Sequence, residues 1–113
     1  VEWVNYAGLP DHADHGLVKK YMGGRASGIL SFGVKGGFEA GGRFQDALKL
    51  ITRLVNIGDA KSLACHPAST THRQLSPAEL AKAGVSPDMV RLSIGIEHID
   101  DIIADLEQAL AAV

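Results

Sequence analysis

The chain has 113 residues, 46% of them hydrophobic, with 13 acids against 11 bases for a formal net charge of −2. That length suits one domain with a modest core, and the charge balance excludes a polyanion-binding surface, since no Lys/Arg cluster with interleaved aromatics accompanies it. No apolar run approaches a membrane span, Val1-Glu2-Trp3 does not open a charged-then-apolar leader, and Cys65 alone cannot form an internal disulfide, so a cytoplasmic, reducing location is expected.

Val1 to Pro10 reads as an extended lead-in, punctuated by Gly8 and Pro10. Its start at Val1 rather than Met hints at a segment processed or excised from something longer. Asp11 to Met22 is expected as a short helix, with Gly16 as its weak point. His12 and His15 stand three apart beside Asp11 and Asp14, a spacing open to helix-borne metal ligands, but no third ligand is indicated nearby. Acids near the positive end of a helix dipole account for the pattern better, and no metal site is expected.

Gly23-Gly24 gives a turn, and Ser27 to Val34 alternates Leu30, Phe32 and Val34 against Ile29, Ser31 and Gly33, the period of a strand. From Glu39 to Leu54, Phe44, Ala47, Leu48, Ile51, Leu54 and Val55 form the stripe of a helix that packs on a sheet. The glycines of GVKGGFEAGGRF invite a phosphate-loop reading. They lack the closing Gly-Lys-Ser/Thr and the dinucleotide-binding spacing, so a tight strand-to-helix connection is expected instead.

Asn56 to Cys65 reads as a short extended segment, a Gly58-Asp59 turn and a strand. His66 to His72 is a hydroxyl-rich loop. Cys65, His66 and His72 can be arranged on paper as zinc ligands or a nucleophile–base pair, but no paired Cys motif supports a metal and no orienting third group is visible. Cys65 reads better as a small buried residue. Ser76-Pro77-Ala78-Glu79 is a capping box with proline at the first helical position. Val90, Leu92, Ile94 and Ile96 alternate with Met89, Arg91, Ser93 and Gly95 as a strand, and Ile99, Ile102, Ile103, Leu106, Leu110 and Val113 then fall on one helical stripe. Arg91 shares the polar face of its strand with Ser93 and Gly95, which leave room for a carboxylate to meet the guanidinium through a forked pair of charged hydrogen bonds. A solvated surface arginine fits the same spacing.

RLSIGIEHIDDIIADLEQAL, with SLACHPASTTH and SFGVKGGFEAG, resembles the C-terminal part of the Cys/Met-metabolism enzymes that use pyridoxal phosphate, and most nearly their O-acetylhomoserine sulfhydrylase branch. The resemblance runs from about Trp3 to Leu110. It implies the small C-terminal domain of a fold-type-I pyridoxal-phosphate enzyme: an α/β (α+β) unit with a mostly antiparallel sheet of about four strands and helices on one face. Strands are expected near Ser27–Val34, Val55–Ile57, Ser62–Cys65 and Met89–Gly95. Residues 1–24 would be the lead-in and linker helix from a large domain, and residues 25–113 the small domain.

The resemblance also implies the chemistry: replacement of the acetoxy group of O-acetylhomoserine by sulfide or a thiol, giving homocysteine or methionine. The family's anchor for the substrate α-carboxylate is the Arg of R-L-S-x-G-x-E, here Arg91. The segment before G-D-A places Asn56 near the carboxylate, and Thr71 in H-P-A-S-T-T-H matches a residue that helps hold the arginine. The Schiff-base lysine and the acid facing the pyridine nitrogen belong to the large domain. None of this chain's six lysines has their sequence context. The implied cofactor, pyridoxal phosphate, is therefore bound mainly by that large domain, and this chain alone is expected to contain no catalytic or cofactor-binding residue and to be inactive. The implied partners are an amino-acid substrate, the large domain and further copies in a homo-oligomer such as a homotetramer, with no nucleic acid and no membrane. Two rivals stay open: another family activity (cystathionine γ-synthase, cystathionine γ-lyase or methionine γ-lyase), and a stand-alone, non-catalytic small-molecule-binding module. Ser is common at the Asn56 position in the lyases, so the larger amide speaks against a plain γ-lyase.

Overall fold

The computed structural model describes residues 1–113. Its centre is a five-stranded sheet in the order β1-β2-β5-β4-β3, built from β1 (Trp3–Asn5), β2 (Ile29–Gly33), β3 (Thr52–Arg53), β4 (Leu63–Cys65) and β5 (Met89–Ser93). All neighbours are antiparallel except β3 and β4, which run parallel. The helices are α1 (His15–Met22), α2 (Gly37–Ala47), α3 (Pro77–Lys82) and α4 (Ile99–Leu110), with a single 3-10 turn at Pro67–Ser69. The architecture is the expected mixed α/β one.

The alternation read in β2 and β5 puts Phe32, Val90 and Leu92 on one face, where α2 and α4 cover them. Phe44 of α2 is fully buried and meets the Phe32 ring edge-on, with centroids 5.4 Å apart. Ile102 and Ala109 of α4 complete the same cluster. Truncating Phe44 to Ala would leave a cavity at the centre of this layer and cost about 3–5 kcal/mol. The outer helices contribute little: α1 buries only Val18 and α3 buries no residue. The capping box of α3 forms as expected, with Glu79 Oε2 accepting from Ser76 N at 2.8 Å.

Four expectations need correction. The sheet has five strands rather than about four, because Trp3–Asn5 of the lead-in pairs with Ser31–Gly33 as an edge strand. The strand expected at Val55–Ile57 lies at Thr52–Arg53, where Thr52 N and Leu54 N donate to Ser62 O and Ala64 O. Residues 56–61 turn instead, because short side chains compete with the ladder for backbone N–H groups: Asn56 Oδ1 accepts from Ile57 N and Asp59 Oδ1 from Lys61 N. The helix expected over Glu39–Leu54 ends at Ala47, since Lys49, Leu50 and Ile51 give their N–H groups to the Asp105 carboxylate of α4. Leu48 is already extended, yet Ile51 still reaches the core from the connecting segment, so an apolar stripe continues where the helix does not. Finally, α1 begins at His15 rather than Asp11; residues 11–14 form turns, and Gly23 ends the helix in the left-handed conformation.

Candidate functional site

Arg91 occupies the middle of the central strand. Its direct cross-strand neighbours are Ser31 on β2 and Cys65 on β4, so the face opposite the helices carries a row of small side chains flanking one guanidinium. Arg91 is half-buried and takes part in no ion pair; the ion pair present is Arg53–Asp46. Cys65 is buried, as expected for it. Burial pushes its thiol pKa up against the pull of the neighbouring Arg91 charge, which leaves a neutral group beside the arginine.

Two loops reach this end of the sheet. The first follows β3: Leu54 N donates to Ala64 O at 3.2 Å, which carries Leu54 and Val55 past Cys65 and leads to Asn56. Asn56 is exposed, and its amide is occupied locally, accepting from Ile57 N at 2.8 Å and reaching Asp59 Oδ2 at 3.4 Å. The second loop follows Cys65 and wraps around His66, which is fully buried. Its Nε2 lies 2.7 Å from Pro87 O, a pure acceptor, so Nε2 carries the proton and Nδ1 faces Ser69 Oγ at 2.8 Å. Thr70 Oγ1 donates to His66 O at 2.8 Å. Thr71 is exposed and pairs with His72 Nδ1 at 2.8 Å rather than with Arg91. A cavity lined by Gln45, Arg53, Leu54, Val55, Cys65 and Thr70 opens between the two loops. Of the three residues singled out in the sequence, the structure thus gives Arg91 a free guanidinium and ties Asn56 and Thr71 into their own turns.

The remaining letters of R-L-S-x-G-x-E explain themselves as construction. Leu92 and Ser93 are buried. Gly95 is forced by a close approach, since a Cβ there would overlap Ala60 O and stand 2.6 Å from Ser62 N. Glu97 accepts from Ser62 N at 2.6 Å and from Ser62 Oγ at 2.7 Å. These two bonds hold its carboxyl pKa below the usual range, the backbone one contributing most. Sequence reasoning missed the Glu97–Ser62 contact; the glycine two residues before the acid was its one visible trace.

Other candidates resolve into structure. His12 bonds Asn5 Oδ1 and His15 bonds Ala7 O, and no group of three potential metal ligands gathers anywhere in the chain. Gly36 and Gly37 make the tight strand-to-helix connection with φ of 107° and 69°. All six lysines are exposed, so none sits in the kind of enclosed pocket where a Schiff-base amine is desolvated and activated. The residues present do not fit pyridoxal phosphate by themselves. No helix is long and apolar enough to cross a membrane.

The fold defines a mixed sheet with two helices on one face and, on the other, an arginine between small neighbours. The chain belongs to the Cys/Met-metabolism PLP-dependent enzymes, whose family model matches residues 1–111. It is 59% identical to O-acetyl-L-homoserine sulfhydrylase 1 of Thermus thermophilus over 98% of its own length and 26% of that protein's. It is 52% identical to homocysteine synthase of Schizosaccharomyces pombe, over 97% of this chain and 26% of that one. A crystal structure from Campylobacter jejuni, described as an O-acetylhomoserine (thiol)-lyase, superposes with a TM-score of 0.85 at 50% identity, covering 96% of this chain and 26% of that one. That structure carries N'-pyridoxyl-lysine-5'-monophosphate. The chain therefore spans about a quarter of the length of the curated relatives it matches.

Proposed function

We propose that this chain is the C-terminal small domain of a pyridoxal-phosphate-dependent O-acetylhomoserine sulfhydrylase, in which Arg91 receives the substrate α-carboxylate. The observation that carries this reading is the unpaired, half-buried guanidinium between Ser31 and Cys65. A planar fork without a counter-ion, on a rigid central strand, suits bidentate capture of a carboxylate. The identity to sulfhydrylases supports the substrate class, O-acetylhomoserine, whose acetoxy group leaves as acetate while sulfide or a thiol takes its place at the γ carbon. Pyridoxal phosphate supplies the electron sink for that exchange and is held by a large domain. This chain's part is to close one side of the active site and fix the substrate's carboxylate end. Residues 1–24 connect to the large domain, contributing β1 to the sheet on the way, and residues 25–113 form the small domain. Asn56 and Thr71 act as secondary polar contacts around the carboxylate. The whole enzyme works as a cytoplasmic homo-oligomer.

The test is steady-state formation of homocysteine from O-acetylhomoserine and sulfide by the full-length enzyme. Arg91→Ala is expected to raise the KM for O-acetylhomoserine by about 10²-fold or more, with Arg91→Lys in between. An unchanged KM in both variants would remove Arg91 as the anchor. Turnover of methionine to methanethiol at a rate exceeding homocysteine synthesis would move the enzyme to the lyase branch.

A further inference from the structure

We propose that Glu97 is a positioning residue for substrate binding: by clamping Ser62 to the end of β5, it fixes the Asn56 loop relative to Arg91. The inference rests on the reading of Arg91 as carboxylate anchor. The clamp is a closed ring of contacts. Glu97 accepts from Ser62 N and Oγ at 2.6 and 2.7 Å, and Ser62 Oγ accepts in turn from Gly95 N at 2.9 Å. Ile96 N donates to Ala60 O at 3.0 Å alongside, and the missing side chain of Gly95 lets the two backbones meet. From Ser62 the connection continues through Lys61 N to Asp59 Oδ1 at 3.0 Å, and from Asp59 Oδ2 to Asn56 Nδ2 at 3.4 Å. Hydrogen bonds on either side of the Lys61–Ser62 peptide thus connect the end of the strand that carries Arg91 to the loop that carries Asn56.

Little else holds that loop. Asn56, Ile57, Gly58, Ala60 and Lys61 are exposed and contribute nothing to the hydrophobic cluster. Loss of the Glu97 carboxylate is therefore a loss of loop placement rather than of core packing, and its signature is a change in substrate affinity. Ser62, by contrast, is fully buried, so the clamp grips a fixed point at the start of β4. A carboxylate that accepts from both a backbone N–H and the hydroxyl of one residue also fixes the direction of that residue, which a single bond does not.

The experiment compares Glu97→Gln, Ser62→Ala and Arg91→Lys in the full-length enzyme. It measures kcat, the KM for O-acetylhomoserine, the KM for sulfide and the melting temperature. Glu97→Gln is expected to raise the KM for O-acetylhomoserine about tenfold, with kcat and the KM for sulfide changed less than about twofold, as misplacement of a binding group predicts. Ser62→Ala, which removes the Oγ bonds to Glu97 and from Gly95 N and keeps the backbone one, should move the same constant in the same direction, and it supplies the test if Glu97→Gln does not fold. An O-acetylhomoserine KM unchanged in both clamp variants while Arg91→Lys raises it would overturn the positioning role and leave the anchor standing. Equal changes in both KM values and kcat, accompanied by a lower melting temperature, would reduce Glu97 to a structural residue. If Arg91→Lys leaves the KM unchanged, the anchor falls and the inference with it.

Discussion

Trp3 Nε1 donates to Asp88 Oδ2 at 2.8 Å, a hydrogen bond between residues 85 positions apart that passes over Gly33. Gly33 pairs with Trp3 on one side and with Met89 on the other, so the indole crosses the middle of three strands to reach the residue preceding β5. Val34 N adds a bond to Asp88 O at 3.0 Å. Burial of the Asp88 carboxyl acts to raise its pKa, but the polar groups around it, the Trp3 N–H among them, outweigh it and the net shift is downward. The start of the chain is thereby tied to the strand that carries Arg91.

That crossing requires a residue with no side chain at position 33. A Cβ on Gly33 would overlap both Asp88 Oδ2 and the Trp3 indole nitrogen. Gly33→Ala is expected to destabilise the fold by about 1–3 kcal/mol, the usual cost of forcing a well-packed contact apart. Urea unfolding should show a lower midpoint with an unchanged slope. A midpoint equal to the parent's would mean that the indole moves aside without cost.

A second close approach lies beneath the loop after β4. Gly41 of α2 packs against the edge of His66, where a Cβ would come within 2.6 Å of Nε2 and 2.7 Å of Cδ2. Gly41→Ala should push the ring off Pro87 O and release the Ser69–His66 contact, again at about 1–3 kcal/mol. Because His66 organises the loop from Pro67 to His72, amide exchange should quicken there first, at Thr70 and His72, whose N–H groups bond Pro67 O. Uniform loss of protection across the sheet would instead place the damage in the core.

Cys65 bears on the arginine by register rather than by sequence distance. Being opposite Arg91 in an antiparallel pair, as Ser31 is on the other side, it is a position from which a carboxylate would reach the guanidinium directly. Cys65→Ala should leave the KM for O-acetylhomoserine within about twofold. Cys65→Asp should raise it about tenfold or more, because an internal counter-ion competes with the substrate. If the KM stays flat in a folded Cys65→Asp enzyme, the substrate carboxylate does not meet Arg91.

The period of the sequence was enough to find β2, β5, α2, α4 and the face on which they meet, because each buries a regular row of apolar side chains. Arg91 was legible for the complementary reason, being a long cation among small residues on the other face. Some of the boundaries that sequence reading misplaced are set by polar contacts from far along the chain. Nothing near Ala47 says that its helix stops there; Asp105, more than fifty residues later, takes the N–H groups of Lys49, Leu50 and Ile51. Likewise Trp3, paired with Gly33, is tied to Asp88, and the role of Glu97 needs Ser62 beside it. Asn56 and Thr71 stood out only by family resemblance, and both make short-range bonds that any turn could make.

Asp105 gives the stability a predictable dependence on pH. Its burial acts to raise the carboxyl pKa, but the N–H groups of Ile51, Lys49 and Leu50, with the Gln108 amide, outweigh it and lower the pKa. Oδ1 accepts from Lys49 N at 2.9 Å and Gln108 Nε2 at 3.0 Å, and Oδ2 from Leu50 N at 3.0 Å and Ile51 N at 2.8 Å. A carboxyl whose folded pKa lies below its unfolded value of about 3.9 stabilises the fold fully above that value and loses the contribution as pH falls through the folded one. In Asp105→Asn either orientation of the amide turns an NH2 towards two donors, which should cost about 2–3 kcal/mol at neutral pH. The gap between parent and variant, measured by urea unfolding at a series of pH values, should be constant above about pH 5 and narrow below about pH 4. A gap that persists undiminished into strong acid would show that the side chain's shape, and not its charge, holds the end of α2 against α4.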